Sequence, residues 1–403
     1  MDSTLPNRLK LALVVPALNE EQAIAATLRR CLAARSKVVS QTPVTEMVVV
    51  FVNDGSTDGT QQVVDQDEFD EVVKVRFEKN RGYGAAIKAG WDATDADLVG
   101  FIDGDGTCDP DFCVPLVKRL LETSADVVLA GRMTPESRMP LVRRIGNRLF
   151  AGLLGLVSGR ELTDSASGFR IVRRSSLNLL APLPDGLHFT PAMSAICLLD
   201  PRLTIEEVPM PYEERIGRSK LHVIRDGLRF LWTIMFAACC YSPLKTLLAL
   251  SLLGAGVLTG LTAVAARLFD APNLAPWMFL AGGLLVIMGI AGGVVVHQLN
   301  FLLIGPRRKT GALERLLQTM IDYRRLIMGG GAVFAAGMLA LTILLITGAA
   351  VSPYVVALVL LLTIGSATAA LGGVIVRVIW AVGEKQKAML NGGAPLRLQE
   401  QAA

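Results

Sequence analysis

Two aspartates separated by one glycine, Asp103-Gly104-Asp105, directly follow the apolar run 98–102. Held on a turn, both carboxylates can reach one divalent ion that also binds diphosphate oxygens and so neutralises a leaving group. Three more polar clusters stand behind apolar runs: 16–21 with Pro16, Asn19 and Glu20, 53–60 with Asp54 and Asp58, and 80–86 with Gly82 and Gly84. Carboxylates there can accept from ribose hydroxyls and base N–H groups, and helix N-termini can face a diphosphate. Singly, each cluster has a plainer reading. Asp54 and Asp58 suit turn and N-cap positions, and Asp-Gly pairs populate ordinary turns. Gly82 and Gly84 precede Ile87, where a dinucleotide fingerprint needs glycine, and no phosphate-loop signature occurs. The order of the clusters carries the signal.

The elements that must position them are short β-branched runs at 11–15, 47–52, 72–77, 98–102 and 127–130. Helical patterns lie between them, at 20–34, after the 53–60 loop, at 82–91 and from near Pro110. Continuous apolar strands separated by helices predict a mostly parallel sheet buried on both faces. Ligands of such sheets bind beyond the carboxyl ends of the strands, where the polar clusters stand.

From 14 to about 221 these residues resemble glycosyltransferase family 2, whose catalytic domain has the GT-A fold. Pro16 to Glu20 resembles the family's P-x-x-N-E opening, and 53–58 its D-D-G-S-x-D loop with Asn53 in place of the first aspartate. Asp103-Gly104-Asp105 resembles the metal-binding D-x-D. Further motifs resemble the polyprenyl-phosphate branch, which includes dolichyl-phosphate mannose synthases and bacterial polyprenyl-phosphate glucosyltransferases. These are Gly131-Arg132, then Arg143, Arg144 and Asn147, then 164–170 as D-x-x-S-G-F-R, and Arg215, Gly217, Ser219 and Lys220 as R-x-G-x-S-K. Thr107 stands where the branch often carries a glutamine on the metal side. The Q-x-x-R-W motif of processive polysaccharide synthases is absent, which favours single sugar transfer.

The resemblance implies an inverting transfer from a UDP- or GDP-sugar to an undecaprenyl- or dolichyl-type phosphate, with Mg2+ or Mn2+ on Asp103 and Asp105. Pro16, Asn19, Glu20, Asp54 and Asp103 are then expected at the nucleotide. Asp105, Asp164, Arg215 and Lys220 are the expected catalytic residues, with Asp164 orienting the sugar or supporting the metal. A phosphate acceptor is already ionised near neutral pH and needs no general base, so positioning and charge stabilisation carry the chemistry. Arg132, Arg143, Arg215 and Lys220 are the candidates to hold it, because arginine forks match phosphate oxygens. His188 reads as a packed or surface histidine before a base. Two other functions stay open: transfer to a neutral lipid such as diacylglycerol, with Asp164 or His188 as base, and binding or transport of a sugar-lipid.

Beyond residue 240 the composition changes. The chain has 403 residues, 52% of them hydrophobic, and a formal charge of +4; long apolar stretches in the second half raise the mean hydropathy to +0.46. Segments 244–266, 274–304, 332–350 and 354–382 are each long enough to cross a bilayer. Arg307, Arg308, Lys309, Arg315, Arg324 and Arg325 lie between the second and third. The positive-inside rule then places the catalytic domain, this linker and the C-terminus in the cytoplasm, as a multi-pass protein of the cell (inner) membrane. Stretches 219–236 and 309–328 alternate polar and apolar residues at helical spacing, as helices at the headgroup boundary do. The basic residues cluster beside apolar helices, which points to anionic lipid and away from nucleic acid. Six scattered cysteines form neither a disulfide frame nor a zinc site. The apolar run 11–15, closed by Pro16, is too short for a signal peptide.

The expected organisation is a GT-A domain at 1–218 and an amphipathic interfacial helix at 219–240. Transmembrane helices follow at 241–305 and 331–383, in two pairs around a cytoplasmic linker at 306–330, with a tail at 384–403. Glycines in the spans permit close helix packing and a homo-oligomer.

Overall fold

The computed structural model describes residues 8–216, 222–268, 274–304, 323–347 and 352–390. The chain divides into two compact units, Met1–Ala237 and Ala238–Ala403.

The first unit is an α/β domain around one seven-stranded sheet, in the order β3-β2-β1-β4-β6-β5-β7. Its strands are β1 (Leu9–Ala17), β2 (Val44–Asn53), β3 (Val73–Arg76), β4 (Leu98–Phe101), β5 (Val127–Gly131), β6 (Arg170–Arg173) and β7 (Ile205–Pro209). The interior strands β1 and β4 are buried over almost every residue, as strands covered on both faces must be. Helix α1 (Ile24–Gln41) covers one face with Ile24, Thr27, Leu28, Cys31, Ala34 and Val38, a stripe at three- and four-residue spacing. It begins four residues later than its apolar pattern predicts, because 20–23 form a turn in which the Ala23 and Ile24 amides donate to the Glu20 carbonyl. Helices α2 (Thr60–Val64), α3 (Tyr83–Asp92) and α4 (Cys113–Glu122) complete the first half.

The register aligns the strand ends. Ala17 pairs with Asn53, Asn53 with Arg76, and Val14 with Phe101. The loops carrying Glu20, Asp54, Gly82 and Asp103 therefore leave the sheet along one edge.

The series does not close at β5, as the apolar runs suggest. β6 is inserted between β4 and β5, antiparallel to both, and β7 is added parallel to β5. β6 reads Arg-Ile-Val-Arg, and its charged ends hide it from a search for apolar runs. Those ends bond to backbone carbonyls inside the fold, although the buried Arg170 Nη1 has no hydrogen-bond partner among the described residues. Arg170 is fully buried and donates to the carbonyls of Ser165 and Ser167, while Arg173 donates to those of Leu120 and Ala125. The sheet remains mostly parallel, with four parallel pairings and two antiparallel. Helices α5 (Leu141–Ser158), α6 (Leu177–Leu180) and α7 (Phe189–Leu199) lie between β5 and β7, and α8 (Val223–Tyr241) follows the sheet.

The second unit contains long helices at Pro243–Leu268, Leu274–Ile304, Tyr323–Thr347 and Pro353–Leu390. Each expected apolar segment falls on one of them, apart from residues 348–350, which lie outside the described residues. Among the described residues, only Ala275–Val296 and Pro353–Ile375 are long and apolar enough to qualify as spans by length and composition. The last helix continues to Leu390, seven residues into the expected tail. The first of these helices packs on the second, the third on the fourth, and the second on the fourth. Small residues set the approach: a methyl on Gly289 would overlap Ser251, and one on Gly337 would overlap Thr363. The basic residues 307–315 lie outside the described residues.

Candidate active site

One cavity of about 610 Å³ opens along the carboxyl edge of the sheet. It gathers Pro16, Glu20, Asp54, Asp103, Asp105, Arg132, Arg143 and Arg215, eight of the eleven residues expected from sequence. Asn19 and Asp164 do not line it. Lys220 lies outside the described residues.

Asn19 has a bracing position. With a left-handed φ of 53°, its amide donates to Ser56 Oγ at 2.9 Å, and its side-chain oxygen accepts from the Thr57 amide at 2.7 Å. Asn53, in place of the first aspartate, ties the same loop. Its Oδ1 accepts from the Ser56 amide and its Nδ2 donates to Gln61. An amide does both jobs without burying a charge. Asp54 is thereby turned toward the cavity, with its carboxylate on the amides of Arg81 (2.7 Å) and Gly82 (3.0 Å). Burial raises its pKa, and these two amides counter the rise in part.

The helix N-terminus that follows the third strand does not face the cavity as an open anion site. The Gly84 and Ala85 amides at the start of α3 donate to the Asp185 carbonyl. Gly82 has φ +110°, and a side chain there would strike that same carbonyl.

Asp103 accepts from the Tyr83 hydroxyl at 2.6 Å. Its pKa is pushed up to about 7 by burial and by the charge of Asp105, against the opposing effect of the Tyr83 hydrogen bond. Asp105 is 5% exposed and accepts from the Thr107 amide (3.1 Å) and hydroxyl (2.6 Å) on one oxygen. Thr107, standing where the resemblance predicts a metal-side glutamine, thus orients Asp105. The other oxygen takes the Arg215 guanidinium, whose second nitrogen reaches Glu20 at 2.6 Å. The Glu213 and Ile216 amides donate to the Thr107 and Asp105 carbonyls, so the chain around Arg215 lies against the aspartate turn.

These observations test the fit of a divalent metal. The Asp103 carboxyl, raised by burial and by the charge of Asp105, has Arg132 and Arg215 as nearby cations, and the two aspartates offer hard oxygens of the kind Mg2+ and Mn2+ take. Among the described residues no group of three or more His, Cys, Asp or Glu side chains is placed to hold a metal. The protein would supply the two carboxylates, and phosphate or water oxygens would supply the rest. The residues fit the ion on those terms.

Asp164 is fully buried behind the cavity wall. Arg132 grips it twice, through Nε at 2.6 Å and Nη2 at 3.0 Å, and donates its own amide at 3.0 Å. Asn147 and the Ala166 amide complete its shell. Burial alone would raise the Asp164 carboxyl, but the charge and hydrogen bonds of Arg132 hold it below the usual range. Arg132 also lies over the Tyr212 ring, 5.6 Å from its centroid. The rest of the 164–170 motif is likewise architectural. The Ser167 hydroxyl donates to Ala130, Phe169 is buried, and Arg170 holds the loop from behind. Gly168 is required because a methyl there would occupy the space of the Asp103 carboxylate. Arg144 donates to the Thr134 and Ser137 carbonyls and bounds a loop, away from the cavity.

The lining also includes Tyr83, from the 80–86 cluster, and Arg225, Arg229 and Phe230, which belong to no family motif. The last three come from α8, and Phe230 meets Phe150 of α5 edge to face. On α8 the residues Ile224, Leu228, Trp232 and Phe236 are exposed at four-residue spacing, and Leu141, Ile145 and Leu149 are exposed on α5. The α8 stripe falls in the amphipathic stretch 219–236 expected from sequence; the one on α5 was not expected. Such apolar rims on a cavity wall mark a surface for lipid or protein.

The fold and site are those of an α/β protein with a cleft of carboxylates and arginines at the carboxyl edge of a mostly parallel sheet. Residues 12–180 match the family model for glycosyl transferase family 2. The chain is 31% identical over 224 residues to a dolichyl-phosphate hexose transferase of Haloferax volcanii, covering 54% of this chain and 89% of that relative. It is 28% identical over 251 residues to an undecaprenyl-phosphate 4-deoxy-4-formamido-L-arabinose transferase of Edwardsiella ictaluri, covering 61% and 72%. Among solved structures it is similar to a glucosyl-3-phosphoglycerate synthase from Mycobacterium tuberculosis, with a TM-score of 0.45, 21% identity and coverage of 57% of this chain and 80% of that one. The chain belongs to glycosyltransferase family 2 and is a glycosyltransferase.

Proposed function

We propose that the enzyme moves one sugar from a UDP- or GDP-sugar to polyprenyl phosphate at the cytoplasmic membrane face, with inversion and with Mg2+ or Mn2+. The observation that carries this reading is a single cavity with the Asp103–Asp105 pair on its sheet side and arginines beneath an apolar helical rim on the other. The metal would sit on Asp103 and Asp105 and supply charge for the departing diphosphate. Asp54 and Glu20 line the nucleotide end. Arg143 faces the acceptor, and Arg215 bridges the two ends. The names of the two polyprenyl-phosphate relatives support the acceptor class.

The fate of Asp164 favours a phosphate over a neutral lipid. A hydroxyl acceptor needs a base within reach of its proton. Asp164 is held ionised, buried and bound to Arg132, and His188 is not among the residues lining the cavity. A phosphate oxygen needs neither.

The four long helices of the second unit are proposed as four spans with both ends in the cytoplasm, and α8 and α5 as the face that meets the headgroups. The test is transfer by the full chain in nanodiscs containing undecaprenyl phosphate, with a panel of UDP- and GDP-sugars. A sugar-phosphoprenol product, lost with EDTA and with Asp105→Asn, is expected. Product formation undiminished by EDTA would remove the metal from the account.

A further inference from the structure

We propose that Arg225 and Arg229, on the first turns of α8, form the site that first takes the phosphate of the lipid acceptor. No motif of the family resemblance includes either residue. The inference rests on the polyprenyl-phosphate reading above and adds a binding station to it.

Three observations carry it. Arg225 and Arg229 line the same cavity as Asp103 and Asp105, and their side chains are 60% and 59% exposed. They are four residues apart and each follows a residue of the exposed apolar stripe, Ile224 and Leu228. On a helix this sets both guanidiniums on the flank of the lipid-facing stripe, one residue's rotation toward the cavity. A headgroup at the depth of α8 therefore meets these two side chains. By contrast, the deeper cations have carboxylate partners: Arg132 is gripped by Asp164, and Arg215 by Glu20 and Asp105.

The third observation is Asp226, between the two arginines. It is 1% exposed, and its Oδ2 accepts from the His222 amide at 2.8 Å, closing the start of the helix. Its Oδ1 is buried, has no hydrogen-bond partner among the described residues, and lies 3.6 Å from both Arg225 Nε and Arg229 Nη1. A single carboxylate is shared by two guanidiniums without a close hydrogen bond to either. It orients both and leaves the triplet with a net positive charge, with N–H donors free to turn to a phosphomonoester.

The test is equilibrium binding of farnesyl phosphate to the full-length chain in neutral detergent. Native protein is compared with Arg225→Gln, Arg229→Gln and the double variant, with melting temperature recorded for each. The dissociation constant is expected to rise about threefold in the single variants and about tenfold in the double variant, at a melting temperature within a few degrees of native. A melting temperature lowered further in the double variant leaves the two single variants to decide. Farnesol should bind weakly to all four proteins. Inorganic phosphate and phosphatidylglycerol, added as competitors, should displace farnesyl phosphate from native protein only at far higher concentration. Equal affinity in native and variant proteins overturns the inference while leaving the acceptor class intact. Displacement by phosphatidylglycerol at equal concentration identifies a general anionic-lipid site, and displacement by inorganic phosphate a free-phosphate site; either overturns it. Failure of native protein to bind farnesyl phosphate overturns the acceptor reading, and this inference with it.

Discussion

Arg215 is hydrogen bonded to Asp105, 110 residues earlier in the chain, and holds Glu20 with its other nitrogen. The guanidinium thus occupies Oδ2 of the second aspartate of the proposed metal pair. A divalent ion on that oxygen must share it with Arg215 or displace it. Arg215→Ala is expected to lower transfer by about a hundredfold, in the range seen when one charge-stabilising donor is removed, while metal binding is retained or tightened. Calorimetric titration of Mn2+ with and without nucleotide checks this; weaker Mn2+ binding in the variant would contradict the displacement.

The proton on Asp103 gives metal binding a defined pH dependence. With its pKa near 7 in the fold, against about 3.9 for an ordinary aspartate, the ionised form is penalised in the metal-free protein. The penalty grows as pH rises from about 4 and is complete above about 7. A cation removes it. The rise in melting temperature on adding Mn2+ should therefore increase from pH 5.5 to 7.5 and level off above. A gain independent of pH would show that Asp103 is not a ligand.

Asp164 has the opposite sign. Its pKa is depressed, so its contribution to stability is present above the unfolded value near 4 and is lost as pH falls through the lower folded value. Asp164→Asn leaves Arg132 buried without its partner and should cost roughly 3–5 kcal/mol near neutral pH. The gap in denaturation midpoint between native and variant protein should be constant from pH 8 to 5 and narrow below about 4.

Gly168→Ala tests the architectural reading of its motif. A methyl there overlaps the Asp103 carboxylate, so Asp103 must turn. Overpacking of this kind costs about 1–3 kcal/mol, which the fold tolerates, whereas Mn2+ affinity and transfer should each fall by more than tenfold. Denaturation and Mn2+ titration on the same sample separate the two effects.

The apolar rim predicts a difference between acceptors. Leu149→Glu and Trp232→Glu place charges on the exposed faces of α5 and α8. Transfer to undecaprenyl phosphate in nanodiscs should fall severalfold, while transfer to farnesyl phosphate in detergent changes little. An equal fall with both acceptors would place these residues in the fold's interior energetics and not at a membrane.

Much of this was legible in the residues. β1, β2 and β4 are runs of mostly buried β-branched and aliphatic residues, and the polar clusters that line the cavity follow them in order. α8 showed its two faces by spacing alone. The arginines were harder to read, because residue type does not reveal commitment. Arg132, Arg143 and Arg215 look alike in sequence, yet Arg132 is bound to a buried aspartate and Arg215 spans two carboxylates. β6 was hidden because its arginines, Arg170 buried and Arg173 half-buried, read as surface. The outward face of α5 was hidden because Leu141, Ile145 and Leu149 look like a core stripe, whereas the buried residues of this helix are Asn147, Ala151 and Leu154 and it packs on α7.

The central claim is that the acceptor is an anionic lipid that needs no base. Full-length protein in phosphatidylcholine nanodiscs should be given equal amounts of undecaprenyl phosphate and diacylglycerol, with the active nucleotide-sugar and Mn2+, and the products identified by mass spectrometry. Sugar is expected on undecaprenyl phosphate alone. Sugar on diacylglycerol, with undecaprenyl phosphate left unmodified, would contradict it.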